Sequence, residues 1–529
     1  MGLIRATGTI GGLTLVSRIF GMVRDMLVAR FLGAGLASDA FLIAWRLPNL
    51  FRALFAEGAF AAVFVPMFNR TMAEAEREAP GTGKSAAILF AGHILSVLFP
   101  FLIVFTGIMM VLAAPVVWTM TGGFPDGGPQ KFALAVDLTR ITFPYLALIS
   151  LVSLLGGILN SLDRFWVNAA APILLNICMI VAILFFRGDT TIETAYSQAV
   201  AVTVSGAMQL VWLIWSCRRV GVVLRLGLPR LSAPVRRLLA LIMPAAVGAG
   251  AVQFNLLVST SLAARFLPQG SVSYLYYADR LNQLPLGLIG IGVGTAILPA
   301  LSRQIGAGDE RAAAGTQNRA IELALFLSLP AAIALCMAAT PLVRGLFQHG
   351  EFTGSDTMGT ASALAVFALG VPAYVLIKVL TPGFYARQDT KTPVRVAVFS
   401  MLFNLVGNLI LIWPFAHVGV AASTAIAAWV NVLVLYWLLH RRDHLRADAR
   451  LLGRGARIIG ASAAMGVALW FIAPYSDRFM AGDVAARVIA LTLLCGGGAL
   501  VYAAAIFGTG AYRLSELRAL VTRRQPSAQ

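Results

Sequence analysis

SRIFGMVRDMLVARFLGAGLASDAFLIAWRLPNLFRALFAEGAFAAVFVPMF, residues 17–68, is the stretch that decides the fold. It holds two long apolar segments with a short glycine-rich break at Gly33–Gly35. Both segments carry ionisable residues where a lipid-facing helix would carry leucine or valine: Arg18, Arg24, Asp25, Arg30, Asp39, Arg46, Arg52 and Glu57. Such a group near the bilayer centre costs about 3 kcal/mol on insertion scales, so it must face water, a partner charge or a ligand. The stretch predicts a polar pocket inside a membrane helix bundle.

The composition of the whole chain excludes an ordinary soluble protein. Hydrophobic residues make up 59% of the 529 residues, charged residues 12%, and the mean hydropathy is +0.82. Because one crossing needs about 20 apolar residues, we predict an all-α polytopic membrane protein with about 14 transmembrane helices. The predicted spans are 8–33, 36–69, 86–117, 131–160, 165–187, 194–217, 238–267, 271–302, 319–347, 357–386, 393–415, 418–440, 455–474 and 484–510.

The distribution of basic residues predicts the orientation. The net charge is +18, and arginines concentrate in alternate loops, above all in 218–237 and 441–457. The intervening loops, such as 348–356, are neutral to acidic, so the positive-inside rule places the basic loops and both termini in the cytoplasm. We also expect the N-terminus to be a retained first span and not a cleaved leader. An alternative for 218–237 is a patch that binds anionic lipid or nucleic acid.

The two halves of the chain resemble each other. ARFLGAGLASDAFLIAWRL at 29–47 aligns with AARFLPQGSVSYLYYADRL at 263–281, and Pro144 and Asn176 precede Pro372 and Asn404 by a common 228 positions. Weak internal symmetry of this kind is typical of secondary transporters. Since each repeat has six spans, both lobes enter the membrane in the same sense, related by a pseudo-two-fold axis along its normal. The predicted parts are an N-lobe at 1–217, a cytoplasmic basic linker at 218–237, a C-lobe at 238–441, and two extra C-terminal helices with a cytoplasmic tail at 442–529.

Polar stripes mark the candidate ligand site. On ideal helices Arg18 and Asp25 share one stripe, as do Asp39 and Arg46, while Arg24 is rotated by about 120° from Arg18. In the second half Ser273, Tyr276, Arg280 and Gln283 form a stripe with Asp279 beside it. The arginines outnumber the acids, and a guanidinium fits phosphate oxygens in pairs, which favours an anionic ligand. The alternative is that Arg18–Asp25, Asp39–Arg46 and Asp279–Arg280 are internal ion pairs that only hold the bundle together.

Catalytic and cofactor motifs are not recognised. GTGKS at 81–85 resembles the end of a P-loop, but Glu78 stands where the first glycine is required. The histidines lack ligand spacing, no Ser/His/Asp set is evident, and the four cysteines lie in or beside apolar spans without CxxC pairing. We therefore expect a transporter and not an enzyme, with no metal, no cofactor and no nucleic-acid partner.

Four segments closely resemble the MurJ (MviN) family of lipid II flippases in the multidrug/oligosaccharidyl-lipid/polysaccharide (MOP) exporter superfamily: SRIFGMVRD, GAGLASDAF, RLPNLFRALFAEGAFAAVFVP and GSVSYLYYADRL. The resemblance implies two lobes around a central cationic cavity in the bacterial cytoplasmic (inner) membrane, and an undecaprenyl-diphosphate-linked peptidoglycan precursor as substrate. It also implies a groove for the lipid tail at the last two spans. Family positions that matter fall on Arg18, Arg24, Asp39, Arg46, Arg52, Ser273, Asp279 and Arg280. Gln283 stands where some relatives carry an acid, so a role for that acid is in doubt here.

The expected mechanism is alternating access. Arg24, Arg52 and Arg280 would clamp the diphosphate with Arg18 beside them, and Asp39 and Ser273 would contact the sugar–peptide head or latch the outer gate. Coupling to the membrane potential, chloride or sodium stays open, with only a weak cation site at Asn404 and Asn408. The rival functions are a cation-coupled exporter of drugs or other polyprenyl-linked oligosaccharides, and a non-transporting scaffold for cell-wall synthesis proteins.

The topology makes a direct prediction. Alkaline phosphatase fused after Gly350 should be active, because that loop is predicted to lie outside, and a fusion after Arg230 should be inactive. Phosphatase activity of whole cells, normalised to fusion protein level, measures both. The reverse pattern would overturn the predicted orientation.

Overall fold

The fold was obtained as a computed structural model that describes residues 3–56, 59–480, 482–512 and 516. Within these ranges the chain is helical and has no strand; Glu57 lies outside them. The helices are α1 (Leu3–Leu32), α2 (Leu36–Ala56), α3 (Ala59–Glu78), α4 (Gly83–Val111), α5 (Ala113–Thr121), α6 (Gly128–Thr142), α7 (Pro144–Ser161), α8 (Phe165–Phe185), α9 (Thr191–Arg219), α10 (Ala233–Phe266), α11 (Ser271–Gly306), α12 (Glu310–Met337), α13 (Ala339–Phe347), α14 (Gly354–Ala368), α15 (Val371–Tyr385), α16 (Lys391–Arg441), α17 (Ala449–Phe479) and α18 (Val484–Gly508).

The predicted all-α polytopic membrane architecture is confirmed. Nine helical stretches among the described residues are long and apolar enough to cross a membrane. One of them, Lys391–Arg441, covers the two predicted spans 393–415 and 418–440. The predicted spans outside this set fall on α1, α2 with α3, α10 and α11. Every predicted span therefore coincides with helix.

Helix α16 contains two antiparallel spans. Its 51 residues would extend about 76 Å if straight, far beyond a hydrocarbon core of about 30 Å. The backbone breaks at Ala416, with φ 50° and ψ −130°. Arg442, just after the helix, donates to Asp389, just before it, at 2.7 Å, so the two ends of α16 meet. The Thr392 hydroxyl and this guanidinium hold the pKa of Asp389 well below its usual range.

Helix breaks recur at nearly the same spacing in the two halves. Helix α4 gives way to α5 at Leu112, and α12 gives way to α13 at Ala338, 226 positions later. The first turns of α7 and α15 hold Pro144 and Pro372, the prolines that the repeat pairs. Proline lacks the N–H that a continuing helix would need, so it is tolerated at a helix start and interrupts what precedes it. The sequence predicted the repeat, but it predicted one continuous helix for each of these interrupted spans.

The predicted glycine-rich break near the start of the chain is confirmed. The break at Gly33–Gly35 is present, and Gly33 has φ +67°. A Cβ at Gly33 would lie 2.6 Å from the Glu351 carbonyl oxygen, so only glycine fits this position. Within the predicted span 36–69, residues 36–56 lie in α2 and residues 59–69 in α3, and residues 57–58 lie outside the described part of the chain.

The described helices form two compact units. Residues Met1–Ser273 and His349–Thr353 form the first unit, in which α1 packs on α8, α2 on α6 and α10, and α3 on α4. Residues Tyr274–Gln348 and Gly354–Gln529 form the second unit, in which α12 packs on α15 and α17, and α17 on α18. Helix α10, which begins the predicted C-lobe, packs on helices of the first unit. The predicted domain boundaries at 217, 237 and 441 stay a prediction.

Candidate functional site

Asp39 is the centre of a buried polar cluster in the first unit. Its side chain is fully buried, and its carboxylate accepts hydrogen bonds from the Gly270 amide at 2.8 Å and the Ser273 amide at 3.0 Å. The Ser273 hydroxyl donates to the same carboxylate at 2.6 Å and lies 2.7 Å from the Ser38 hydroxyl. Since helix α11 begins at Ser271, Asp39 caps the N-terminus of a helix distant in sequence, where a negative charge is favoured. The structure thus brings together the predicted site residues Asp39 and Ser273.

Lys131 completes this cluster, and the sequence pattern did not predict it as a site residue. Its ammonium lies 2.9 Å from Asp39 and 3.0 Å from Asp126, and 4.7 Å from the centre of the Phe124 ring. Only 1% of the residue is exposed. A lysine in the first turn of an apolar helix usually extends its ammonium to the membrane–water interface. Nothing in the sequence distinguishes such a lysine from one whose ammonium is buried. The one available signal is the nearby Asp126, five positions earlier in the turn before α6.

Arg24 is held by a second buried network in the same unit. Its guanidinium donates to Asp25 at 2.7 and 3.0 Å and to the Asn176 side-chain oxygen at 2.9 Å, and it lies 5.2 Å from the centre of the Trp45 ring. Arg24 is 5% exposed and Asp25 3%. The carboxylate compensates the charge of Arg24, so at this position the predicted surplus of positive charge is absent in this conformation.

Two of the ion pairs considered as alternatives from sequence have other partners. Asp25 pairs with Arg24 and not with Arg18, and Asp39 pairs with Lys131 and not with Arg46. Residues that share a helix stripe can reach each other, but a neighbouring helix offers competing charges that the stripe does not reveal. Arg46 instead donates to the Leu256 carbonyl at 3.1 Å, and Arg52 to the Asn49 side chain at 2.9 Å.

The second unit holds Asp279 and Arg280. The Arg280 guanidinium lies 4.8 Å from the centre of the Tyr276 ring, in a cation–π arrangement along the predicted stripe. The Gln283 amide donates to Asp279, so Gln283 is engaged with a predicted site residue. Convergence of Arg24, Arg52 and Arg280 on one cavity stays a prediction.

Arg18 faces a polar recess of about 400 Å³ between α1, α7 and α8. The lining residues are Thr14, Ser17, Arg18, Asn160, Phe165, Asn168, Ala169 and Pro172. Among the residues that the structure describes, no hydrogen bond or ion pair satisfies the side chain of Arg18. The described part of the chain thus leaves the Arg18 charge uncompensated, in contrast to that of Arg24.

An apolar recess of about 380 Å³ lies in the second unit, between α12, α17 and α18. Its walls include Phe326, Leu469, Leu494 and Tyr502. The Tyr502 hydroxyl donates to the Phe326 carbonyl at 2.8 Å, which ties α18 to α12 along one wall. Such a surface suits a hydrocarbon chain, because it offers few polar groups to leave unsatisfied.

Known proteins match this arrangement along nearly the whole chain. The sequence profile of the family described as "Lipid II flippase MurJ" matches residues 28–489. A "Probable lipid II flippase MurJ" of Rhizobium meliloti (strain 1021) is 40% identical over 533 aligned residues, 99% of this chain and 97% of the relative. This chain belongs to the lipid II flippase MurJ family. A further MurJ relative, from Vibrio cholerae serotype O1, is 36% identical and covers 98% of each chain.

Solved structures agree on the fold. The structure titled "Lipid II flippase MurJ, inward closed conformation" superposes with a TM-score of 0.76 at 24% identity, covering 97% of this chain and 99% of that one. An inward-facing multidrug resistance MATE family transporter of the MOP superfamily superposes with a TM-score of 0.63 at 15% identity, covering 82% and 97%. This MurJ family member is therefore a multi-pass inner-membrane transporter and not a catalytic enzyme.

The buried cluster of this MurJ family member yields a stability prediction. Lys131→Met leaves Asp39 and Asp126 without their cation, and breaking a buried ion pair costs about 3–5 kcal/mol. We expect a clearly lower melting temperature of the purified protein, and partial recovery when Asp39→Asn is added, because the second change removes the uncompensated charge. Thermal unfolding in detergent measures both.

The control for this prediction is Lys391→Met, at an exposed position at the start of α16. An exposed substitution of this kind changes stability by no more than about 0.5 kcal/mol. If Lys131→Met and Lys391→Met unfold at the same temperature, Lys131 does not compensate the buried carboxylates.

Proposed function

We propose that this chain moves lipid II from the inner to the outer leaflet of the cytoplasmic membrane, with both termini in the cytoplasm. The observation that carries the proposal is the 40% identity to a probable lipid II flippase over 99% of the chain. The buried polar clusters in apolar helices support it, since a hydrophobic protein that only scaffolded partners would have no need to bury charge at this cost. The transported molecule is amphiphilic, and the chain has both a polar recess and an apolar one.

The proposed ligand of the arginines is the diphosphate of the lipid. Arg24, Arg52 and Arg280 form the clamp, with Arg18 beside them and Arg46 and Asp279 within the same polar lining. Asp25 and Asn176 hold the Arg24 guanidinium in place before a ligand arrives, which reduces the cost of ordering it on binding. Arg18 supplies a charge that no described protein group neutralises. Guanidinium groups bind phosphate oxygens in bidentate fashion, as this role requires.

The Asp39 cluster is proposed as the latch of the outer side in an alternating-access cycle. The contacts of Asp39 with Gly270 and Ser273 fix the start of α11, which lies near the outer surface in the predicted orientation. Opening to the outside breaks these hydrogen bonds and exposes the carboxylate to water. Lys131 keeps its contact with Asp39 from α6, so the carboxylate does not lose its counter-ion when the latch opens.

The apolar recess between α12, α17 and α18 is proposed to hold part of the polyprenyl tail. Outward movement of the anionic head is favoured by about 2.3 kcal/mol per charge per 100 mV in a cell that is negative inside. The membrane potential alone can therefore bias the cycle. No ion is required for this bias, and coupling to sodium or chloride is left open.

Arginine substitutions test the clamp. Arg24→Ala, Arg52→Ala and Arg280→Ala should each leave an inserted protein that fails to support growth when the native flippase is depleted, because the diphosphate loses a bidentate partner. The decisive measurement in the depleted cells is whether lipid II becomes accessible on the outer leaflet. Arg77→Ala, at an exposed position on α3, is the matched control and should complement fully.

Full complementation by all three variants would reject the clamp. Raised drug resistance from the native chain, without any effect on wall synthesis, would favour the cation-coupled exporter instead. Normal growth of the variants together with normal lipid II exposure would favour the scaffold.

A disulfide tests the latch. The Ser38 and Ser273 hydroxyl oxygens are 2.7 Å apart, so Ser38→Cys with Ser273→Cys should form a disulfide with little backbone movement. In a background without the four native cysteines, oxidation should stop lipid II exposure and reduction should restore it. Either single cysteine variant is the control and should be insensitive to oxidant. Transport that continues in the fully cross-linked protein would exclude opening at this contact.

A further inference from the structure

We infer that the polar recess beside Arg18 is a binding site for the amide- and carboxylate-bearing sugar–peptide head of the substrate, built by Asn160 and Asn168. This inference rests on the proposed function, and it assigns to these asparagines a role distinct from the diphosphate clamp. The two residues lie on different helices, α7 and α8, and both line the recess that Arg18 faces from α1.

The hydrogen-bonding groups of the recess lack protein partners. Within the described part of the chain, the side chains of Asn160 and Asn168 make no hydrogen bond, and the same holds for Arg18. All three are half-buried. An unsatisfied amide or guanidinium in a membrane protein is costly unless water or a ligand reaches it, so three converging on one recess indicate a wet, ligand-accessible site.

The backbone adds to the positive potential of the recess. Helix α8 begins at Phe165, which is itself a lining residue, and its N-cap Arg164 provides no side-chain cap. The first amides of α8 and the helix dipole therefore favour a negative charge here, in addition to Arg18. Gly156 on α7 makes room for Asn168, because a Cβ at that position would lie 2.5 Å from the Asn168 side-chain oxygen.

The mixture of groups favours a peptide-like ligand over a phosphate. A diphosphate offers only acceptors, which arginines alone satisfy. Two carboxamides supply acceptors as well as donors, so they complement amide N–H and hydroxyl groups, and Arg18 complements a carboxylate. A volume of about 400 Å³ accommodates one such portion of the head and not the whole lipid.

The position of the recess suits the start of the cycle. Asn160 lies one residue before the end of α7, and Asn168 lies in the first turn of α8. The topology places the loop between these helices on the cytoplasmic side, where the precursor is supplied. The recess would thus take hold of the head as it enters, before the diphosphate reaches the clamp.

The experiment compares two lipids bound to the purified protein in nanodiscs, undecaprenyl diphosphate and lipid II. Asn160→Ala combined with Asn168→Ala should weaken lipid II binding about tenfold or more, because two hydrogen bonds are lost, and should leave undecaprenyl diphosphate binding unchanged. Arg52→Ala should weaken binding of both lipids. Asn69→Ala, exposed on α3, is the matched asparagine control and should change neither.

The outcomes separate the two proposals. If the double variant binds both lipids as the native chain does, or if its binding of both lipids is weakened equally, the inference about the recess is wrong. If the native chain binds neither lipid, or if Arg52→Ala binds both lipids as tightly as the native chain does, the proposed function fails instead. Asn160→Asp and Asn168→Asp guard against misfolding, since they keep the size of the side chain. They should weaken lipid II binding more than alanine does, because a carboxylate facing Arg18 repels that of the ligand.

Discussion

Asp39 is a carboxylate from which the surrounding helices exclude water, and the cost of burying that charge governs the structure around it. The cost is offset by one buried ammonium, that of Lys131, and by the amides and hydroxyl at the start of α11. This single compensation joins α2, α6 and α11 at one point. Arg24 follows the same rule with Asp25 and Asn176, which join α1 to α8. In both cases a charge that apolar helices could not otherwise bury becomes a link between them.

Compensated and uncompensated charges therefore have different roles in this bundle. A buried ion pair with further hydrogen bonds, such as Arg24–Asp25, positions its helices and its own side chains. Arg18 faces a recess with two asparagines and has no partner among the described side chains, so it suits a molecule that arrives and leaves. The apolar recess at α12, α17 and α18 complements the other end of an amphiphile.

The sequence predicted the helices well because length and hydropathy are local properties. It also predicted the internal repeat, which helix breaks at nearly the same spacing support. It did not predict the breaks at Leu112 and Ala338, because apolar residues continue through both positions and only the backbone changes direction. It named Asp39 and Ser273, and the structure places them in contact. It missed Lys131, the partner of Asp39, since that choice of partner depends on which helix lies alongside, and a single sequence does not contain that information. The alternative that paired Asp25 with Arg18 is wrong, because Asp25 pairs with Arg24.

The partners of Asp39 also determine how costly the proposed latch is to open. A hydrogen bond to a charged group contributes about 1.5–3 kcal/mol, and Asp39 accepts three from Gly270 and Ser273. These values already take account of the hydrogen bonds that water supplies to the exposed carboxylate. In the proposed cycle the contact with Lys131 is kept, because it comes from another helix, and the carboxylate retains its counter-ion. If Arg46 had been the counter-ion, the pair would have lain within α2, and α6 would have had no charge to hold it to the start of α11. In the proposed cycle, the lysine on α6 thus allows one carboxylate to be both a structural anchor and a contact that opens reversibly.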